Sequence, residues 1–372
     1  MKKSITFVTL GNIETIATMK RALGMAYPLH KEGWNVSIIA MDCFENRKRI
    51  SLECGNDVTV RYYKESSAND EVAQKTALIR ELKPSHIYFC SFSVRNRIIK
   101  NKLGYKPFII IEHSELQSGI KDLSFPQKIK AHLMEYGSVI YADGLVCAST
   151  FLVKEYRKYA KKLFKRKMPI SYSPYAFNND VVSAPKIILE ELEEKYRGKD
   201  VFLYMGTMTR NYGLFAMLDA MKNNRAQYPE ARLLLMGKGR HYQEGIAYAE
   251  KNNLTNIVDF LGYVPEEEIS SYFELADAFI SPLNNTVQDI ARCPSKIYMY
   301  LPFKKPVFTS KIGEPAEIFG ENGFYFDTSK PESLSVLMMQ KKEGKLREPD
   351  INIDEHSWHQ RTIDFNNWIN SL

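Results

Sequence analysis

At 372 residues the chain is long enough for two domains, each with its own core. A hydrophobic content of 44% and a charged content of 26% are ordinary for a soluble globular protein. No apolar run reaches the roughly 18 residues of a membrane span. The five cysteines, odd in number and scattered, exclude a disulfide framework and a metal pattern and point to a reducing compartment. The net charge of +7 favours an anionic ligand or membrane surface.

The first ten residues, Met1 to Leu10, mimic a signal peptide. Their apolar part is too short and Gly11-Asn12 follows at once, so a first strand is expected. Strands are predicted at Ile5–Leu10, Val36–Ala40, Val58–Tyr63, His86–Cys90, Phe108–Ile111 and Gly144–Ala148. Ile16, Met19, Leu23 and Tyr27 at helical spacing predict the first helix, which Pro28 is expected to kink or end. The turn Thr9-Leu10-Gly11-Asn12 resembles a Rossmann opening but lacks the three-glycine fingerprint, which argues against a dinucleotide there.

Phe108 to Ile111 runs into Glu112-His113-Ser114-Glu115. Strand C-terminal ends are where open α/β sheets place ligands. From Leu152 the pattern is amphipathic: Leu152, Tyr156, Tyr159, Leu163 and Phe164 on one face, and Lys154, Arg157, Lys158, Lys161, Lys162, Lys165, Arg166 and Lys167 around the rest. Two accounts stand side by side. One is a solvated helix docked by its apolar stripe. The other is adhesion of Lys154–Lys167 to an anionic membrane surface. Ile170 to Asp180 reads as a hinge strand and turn, and Ile188 to Asp200 as a charged linker helix.

In the second half, strands are predicted at Val201–Met205, Leu233–Met236, Ile257–Phe260, Ala278–Ile280 and Pro306–Phe308, with helical patterns between. Two of them run straight into Gly206 and into Gly237-Lys238-Gly239. Glycine there lets a backbone approach a ligand, and a following helix offers free N–H groups to a phosphate. Gly262-Tyr263-Val264 ends a third strand, and Pro294-Ser295-Lys296 opens a helix. Ser333 to Met339 reads as a helix, Lys341 to Asp350 as a loop, and a last helix begins at Ser357. His356 and His359 lack a third ligand nearby, so no metal site is expected.

The order and spacing of these turns resemble the donor half of family 4 glycosyltransferases. The segments that carry the resemblance are Met236 to Gly239, Phe260 to Val264, Ala276 to Pro282, Pro294 to Tyr298, Lys305-Pro306-Val307, Glu317 and Asn322-Gly323. It implies a GT-B fold, in which two Rossmann-like α/β domains face each other across a cleft. The acceptor domain would be 1–180, with the helix 355–372 packing back on it, and the donor domain 195–354. It also implies a retaining, metal-independent transfer without a cofactor, from a nucleotide-sugar to a glycan or lipid-linked acceptor. The setting would be the cytoplasm or inner membrane face, with no nucleic acid partner.

By the same resemblance, His113 is the catalytic histidine that contacts the donor sugar. Gly206, Asn211, Gly237, Lys238, Gly239, Tyr263 and Val264 are donor-binding, and Gly11 and Asn12 lie on the acceptor side; by proximity in the sequence, Ser295 joins the donor-binding set and Arg210 and Lys296 are expected to share the diphosphate clamp. Four of the family's polar anchors are replaced, by Thr207, Tyr212, Ala291 and Met299. Ser295, Lys296, Asp289 and Arg292 stand close by as substitutes. The replacements keep two other readings open, a GT-B binding or partner subunit without catalysis and a nucleotide-sugar epimerase.

Overall fold

The computed structural model describes residues 3–14, 19–121, 123–178 and 188–372. The first half holds the strands β1 Ser4–Val8, β2 Asn35–Met41, β3 Thr59–Tyr63, β4 His86–Phe89, β5 Phe108–His113, β6 Gly144–Cys147 and β7 Ile170–Tyr172. Between them run the helices α1 Met19–Lys31, α2 Phe44–Cys54, α3 Ala68–Leu82, α4 Val94–Lys102, α5 Phe125–Tyr141 and α6 Thr150–Phe164. The strands pair in parallel in the order β3-β2-β1-β4-β5-β6-β7. Strands buried on both faces need continuous apolar runs, as Phe108-Ile109-Ile110-Ile111 supplies.

The second half holds α7 Glu190–Lys195, β8 Asp200–Met205, α8 Leu214–Asn224, β9 Ala231–Met236, α9 Tyr242–Lys251, β10 Val258–Gly262, α10 Glu266–Leu275 and β11 Ala278–Ser281. It continues with α11 Val287–Ala291, α12 Ser295–Tyr300, β12 Val307–Thr309, α13 Gly313–Phe319, β13 Phe324–Tyr325, α14 Pro331–Lys342 and α15 Trp358–Asn370. Its six strands are parallel in the order β10-β9-β8-β11-β12-β13. The chain divides into two compact units. One is Met1–Asn178 with Ala291–Cys293 and Asp354–Leu372, and the other is Asn179–Ile290 with Pro294–Ile353.

Three local expectations need correction. Pro28 does not end α1, which runs on to Lys31. An interior proline removes the bond its own N–H would make and crowds the carbonyl four residues back, and here only the last turn of the helix follows it. Gly24, one turn earlier, lets the Trp358 indole lie on α1, since a Cβ there would meet the ring at 2.3 Å. Strand β5 runs two residues beyond Ile111: Glu112 and His113 pair with Val146 and Cys147. The polar pair thus lies inside the sheet, with side chains on opposite faces. Helix α14 takes in Lys341 and Lys342 and stops before Gly344, whose φ of +64° suits a helix end.

Within the first unit, Trp358 N–H donates to Phe177 O at 3.0 Å and Phe177 N–H to His356 O at 3.2 Å. These bonds hold the start of α15 against the segment after β7. Ile16 of the predicted first helix, and Asn179 and Asp180 of the predicted hinge turn, lie outside the described residues.

Candidate functional site

In the first unit the turn after β1 is pinned by its neighbours. Gly11 has φ +68°, its N–H donates to the Tyr63 hydroxyl at 3.2 Å, and its carbonyl accepts from Asn46 at 3.0 Å. Asn12 donates to Glu45 at 3.1 Å and accepts from the Glu14 N–H at 2.9 Å.

The sheet order reverses between β1 and β4, the point at which open α/β sheets bind ligands. A cavity of about 50 Å³ opens there, lined among others by Thr9, Glu71, Lys75, Ser91 and Arg95. Lys75, almost fully buried, reaches Glu71 at 2.5 Å and lies 4.1 Å from the Tyr63 ring centre. Arg95 meets the other Glu71 oxygen at 3.3 Å. Burial lowers the Lys75 pKa and Glu71 pulls it back up. Sequence reading passed over this group, because its members come from α3 and α4 and share no local motif.

The end of β5 is closed. His113 is fully buried. Ser138 Oγ donates to Glu135 O at 2.6 Å, so it accepts from His113 Nε2 at 2.9 Å, and Nδ1 is left to accept from the Tyr156 hydroxyl at 2.7 Å. The ring sits between Phe92 and Tyr156, centroids 4.5 and 4.0 Å away. Burial drives its pKa down to about 3, so the imidazole is neutral. Both nitrogens are engaged inside the unit, and this geometry offers none to a sugar.

Glu112, on the opposite face, is buried as well. Arg21 Nε lies 3.1 Å from Glu112 Oε1, and the Tyr88 hydroxyl donates to Oε2 at 3.2 Å. Arg21 also donates to Ser173 Oγ at 2.8 Å and Ser173 O at 2.7 Å. Burial opposes the Arg21 charge, but Glu112 outweighs it and keeps the guanidinium protonated. Glu115 is half-buried, and burial raises its pKa against the nearby charge of Arg292. Ala291 is fully buried in the first unit's core, and its carbonyl accepts from Ser149 at 2.6 Å.

The second unit behaves differently. The ends of β8, β9 and β10 interlock through glycine. Gly206 (φ +150°) donates its N–H to Met236 O at 2.9 Å. A Cβ on Gly237 (φ +113°) would meet Gly206 O at 2.3 Å, and one on Gly239 would meet Met208 O at 2.5 Å. These two glycines make room for a neighbouring turn. Gly206 is the exception. A Cβ there would meet the Lys296 amine at 2.6 Å. Lys296 Nζ also lies 4.0 Å from the Tyr204 ring centre, a cation–π contact. Lys296 and Gly206 are therefore brought together from distant parts of the sequence.

Arg210 is not aimed at that point. It pairs with Glu244 and lies over Phe215, 4.3 Å from the ring centre. Asn211 is exposed, and its carbonyl accepts from Asn284 at 2.5 Å. Tyr263 is exposed beside half-buried Val264, and the Lys238 amine lies 5.6 Å from the Tyr263 ring centre. Gly237 N–H donates to Gly262 O, so this exposed ring adjoins the glycine turns. Ser295 and Met299 are half-buried on either side of Lys296 in chain order, and Thr207 is exposed. Tyr212 closes a short turn to Thr209 at 3.1 Å. Asp289 accepts from Asn284 N–H at 2.6 Å, which commits its carboxylate to its own loop. Among the described residues no group of three or more His, Cys, Asp or Glu is placed to hold a metal ion. Burial, with Arg361 adding to it, lowers the His356 pKa to about 4.

Residues 188–349 match the family model described as glycosyl transferases group 1. No curated protein matches the chain. Among solved structures, HepE from Anabaena in complex with UDP and glucose is similar over 100% of both chains, at 14% identity and a TM-score of 0.77. Sucrose-phosphate synthase from Thermosynechococcus elongatus covers 100% of this chain and 99% of its own, at 14% identity and 0.74. The lipopolysaccharide outer core galactosyltransferase WaaB in its apo form covers 99% of each chain, at 12% and 0.62. The two parallel sheets have the architecture of these GT-B proteins, and the second half of the chain carries the match to the glycosyl transferases group 1 family.

Proposed function

We propose that the chain transfers a sugar, with retention and without a metal or other cofactor, from a nucleotide-sugar to a glycan or lipid-linked acceptor. The observation that carries the donor site is the Lys296 amine lying against the Gly206 turn. In the transfer, the bond between the anomeric carbon and the diphosphate breaks and one to an acceptor hydroxyl forms. Negative charge grows on the leaving diphosphate. A fixed cation there is stronger in the transition state than in the ground state, which is what accelerates a reaction. Lys296 is that cation in this reading. The exposed Tyr263 ring beside Lys238 offers a flat face to a nucleoside base.

On the acceptor side, the cavity at the β1/β4 reversal has two cations, Lys75 and Arg95, against the single carboxylate of Glu71. It suits an anionic group of an acceptor. His113 acts in this account by holding Tyr156 and Ser138 behind the end of β5. HepE, solved with UDP and glucose, is consistent with a uridine diphosphate donor. The direct test is a panel of nucleotide-sugars and glycan acceptors with product anomers read by NMR, repeated with a chelator. Transfer with retained configuration and undiminished rate in the chelator supports the reading. An inverted product or a chelator-sensitive rate refutes the corresponding part.

A second reading, a binding subunit without catalysis, draws on Thr207 and Tyr212 at the usual basic positions and on the Arg210–Glu244 pair. It predicts nucleotide binding with no turnover across the panel.

A further inference from the structure

Helix α5 is apolar on two opposite sides. Its core-facing side buries Ala131, Glu135, Ser138, Val139 and Tyr141. On the outward side stand Phe125, Ile129, Leu133 and Ile140, exposed by 76%, 44%, 65% and 50%. At 3.6 residues per turn, their spacings of four, four and seven residues place them within an arc of roughly 80°. Single exposed apolar residues are normal on a protein surface. A continuous stripe centred away from the core is not, and marks a contact surface.

The charge around the stripe identifies what it contacts. Helix α6 packs beside α5 through an edge contact of Tyr136 with Tyr159, centroids 4.9 Å apart. Arg166, just past α6, donates to Val139 O at 2.8 Å and Ile140 O at 3.0 Å, which ties the end of α6 to the end of the stripe. Arg166 is thus a structural brace and not part of a free basic face. Lys165 and Lys167 flank it in sequence, and Lys158, Lys161 and Lys162 are exposed on α6, with exposed Leu163 among them. Lys130 is exposed on α5 itself. The acids between residues 123 and 178 are Glu135, Asp143 and Glu155, none of them exposed. No helix among the described residues is long and apolar enough to cross a membrane. An amphipathic helix with an apolar stripe and lysines beside it lies in the plane of a lipid interface.

We infer that α5, flanked by the lysines of α6, docks the protein on an anionic membrane surface, with Phe125, Ile129, Leu133 and Ile140 entering the headgroup region. The inference deepens the proposed function, because a lipid-linked acceptor would be presented on such a surface. Vesicle binding needs neither donor nor acceptor, so the two can fail separately.

The test is co-sedimentation with vesicles of phosphatidylcholine alone or with phosphatidylglycerol. Wild type is compared with a stripe variant, Phe125→Ser with Leu133→Ser and Ile140→Ser, and a charge variant, Lys158→Ala with Lys161→Ala, Lys162→Ala and Lys165→Ala. All the altered side chains are exposed, and circular dichroism checks that each variant is folded. Expected are binding only to the anionic vesicles, weakening with salt because exposed charges are screened beyond about 8 Å at physiological ionic strength, and at least about a ten-fold loss in each variant. Hydrolysis of a soluble donor stays unchanged in both. Absence of wild-type binding overturns the inference, as does undiminished binding of the stripe variant. Loss of a dimer in the stripe variant, with vesicle binding intact, makes the face a protein interface instead. Retention on RNA that only the charge variant loses, without vesicle binding, also overturns it.

Discussion

The ends of two strands, β5 of the first sheet and β8 of the second, received opposite treatment. After the apolar run of β5, the polar residues Glu112 and His113 are drawn into the sheet and closed off by Arg21, Tyr88, Ser138 and Tyr156. After β8, the chain turns through Gly206 and leaves a half-buried lysine against the turn. One strand end thus serves stability in the first unit, and in the proposed function the other offers a charge to ligands in the second.

The largest effect should come from opening the closed end. Glu112→Ala leaves Arg21 buried without its carboxylate, and removing one partner of a buried pair costs about 3–5 kcal/mol. Urea denaturation checks this, and Arg21→Met combined with Glu112→Leu should recover much of the loss. An unmoved midpoint in the single variant would mean that the pair contributes nothing to closure.

At the other end, Lys296→Ala should leave the urea midpoint in place and weaken nucleoside diphosphate binding. A charge-assisted hydrogen bond is worth about 1.5–3 kcal/mol, which is a ten-fold change in affinity or more. His113→Phe should do the reverse. It leaves the Tyr156 hydroxyl without its acceptor in the core, at about 1–3 kcal/mol of stability, and nucleotide affinity is untouched.

The histidine also sharpens the comparison through pH. Its folded pKa of about 3 lies below the ordinary 6.5, so the unfolded chain binds the extra proton first. The stability it contributes is complete above pH 6.5 and is lost as pH falls from there toward 3. His113→Phe should flatten that part of the acid denaturation curve. A curve of unchanged shape would assign the acid sensitivity to other groups, His356 first.

The smallest effect belongs to Arg210→Ala. Its pair with Glu244 is exposed on both sides, and such pairs contribute about 0–1 kcal/mol. Diphosphate affinity should move less than in Lys296→Ala. A larger loss in Arg210→Ala would mean that the side chain leaves Glu244 to meet the ligand.

Much of this fold was readable because buried parallel strands are short apolar runs between glycine turns. Phe324–Tyr325 escaped because two residues carry no period. The burial of Glu112 and His113 was not legible for a physical reason. A polar residue inside a strand looks like the end of the strand, and the partners that satisfy it come from α1, α5 and α6. Gly237 and Gly239 read as points of close backbone approach, and the atoms nearest their missing Cβ positions belong to Gly206 and Met208. Lys296 was legible from Pro294-Ser295-Lys296 as a cation opening a helix, but its contact with Gly206 exists only in three dimensions. The outward stripe of α5 was hidden by the opposite problem. A helix apolar on two sides reads as a buried one until its exposure is seen.

The central claim is that the second unit presents Lys296 to the diphosphate of a nucleotide-sugar. Isothermal titration of wild type and Lys296→Ala with UDP, GDP and the corresponding nucleosides tests it most directly. The account predicts that wild type binds one of the diphosphates and that Lys296→Ala binds it at least about ten-fold more weakly, with nucleoside affinity unchanged. Equal diphosphate affinity in the two proteins would contradict it.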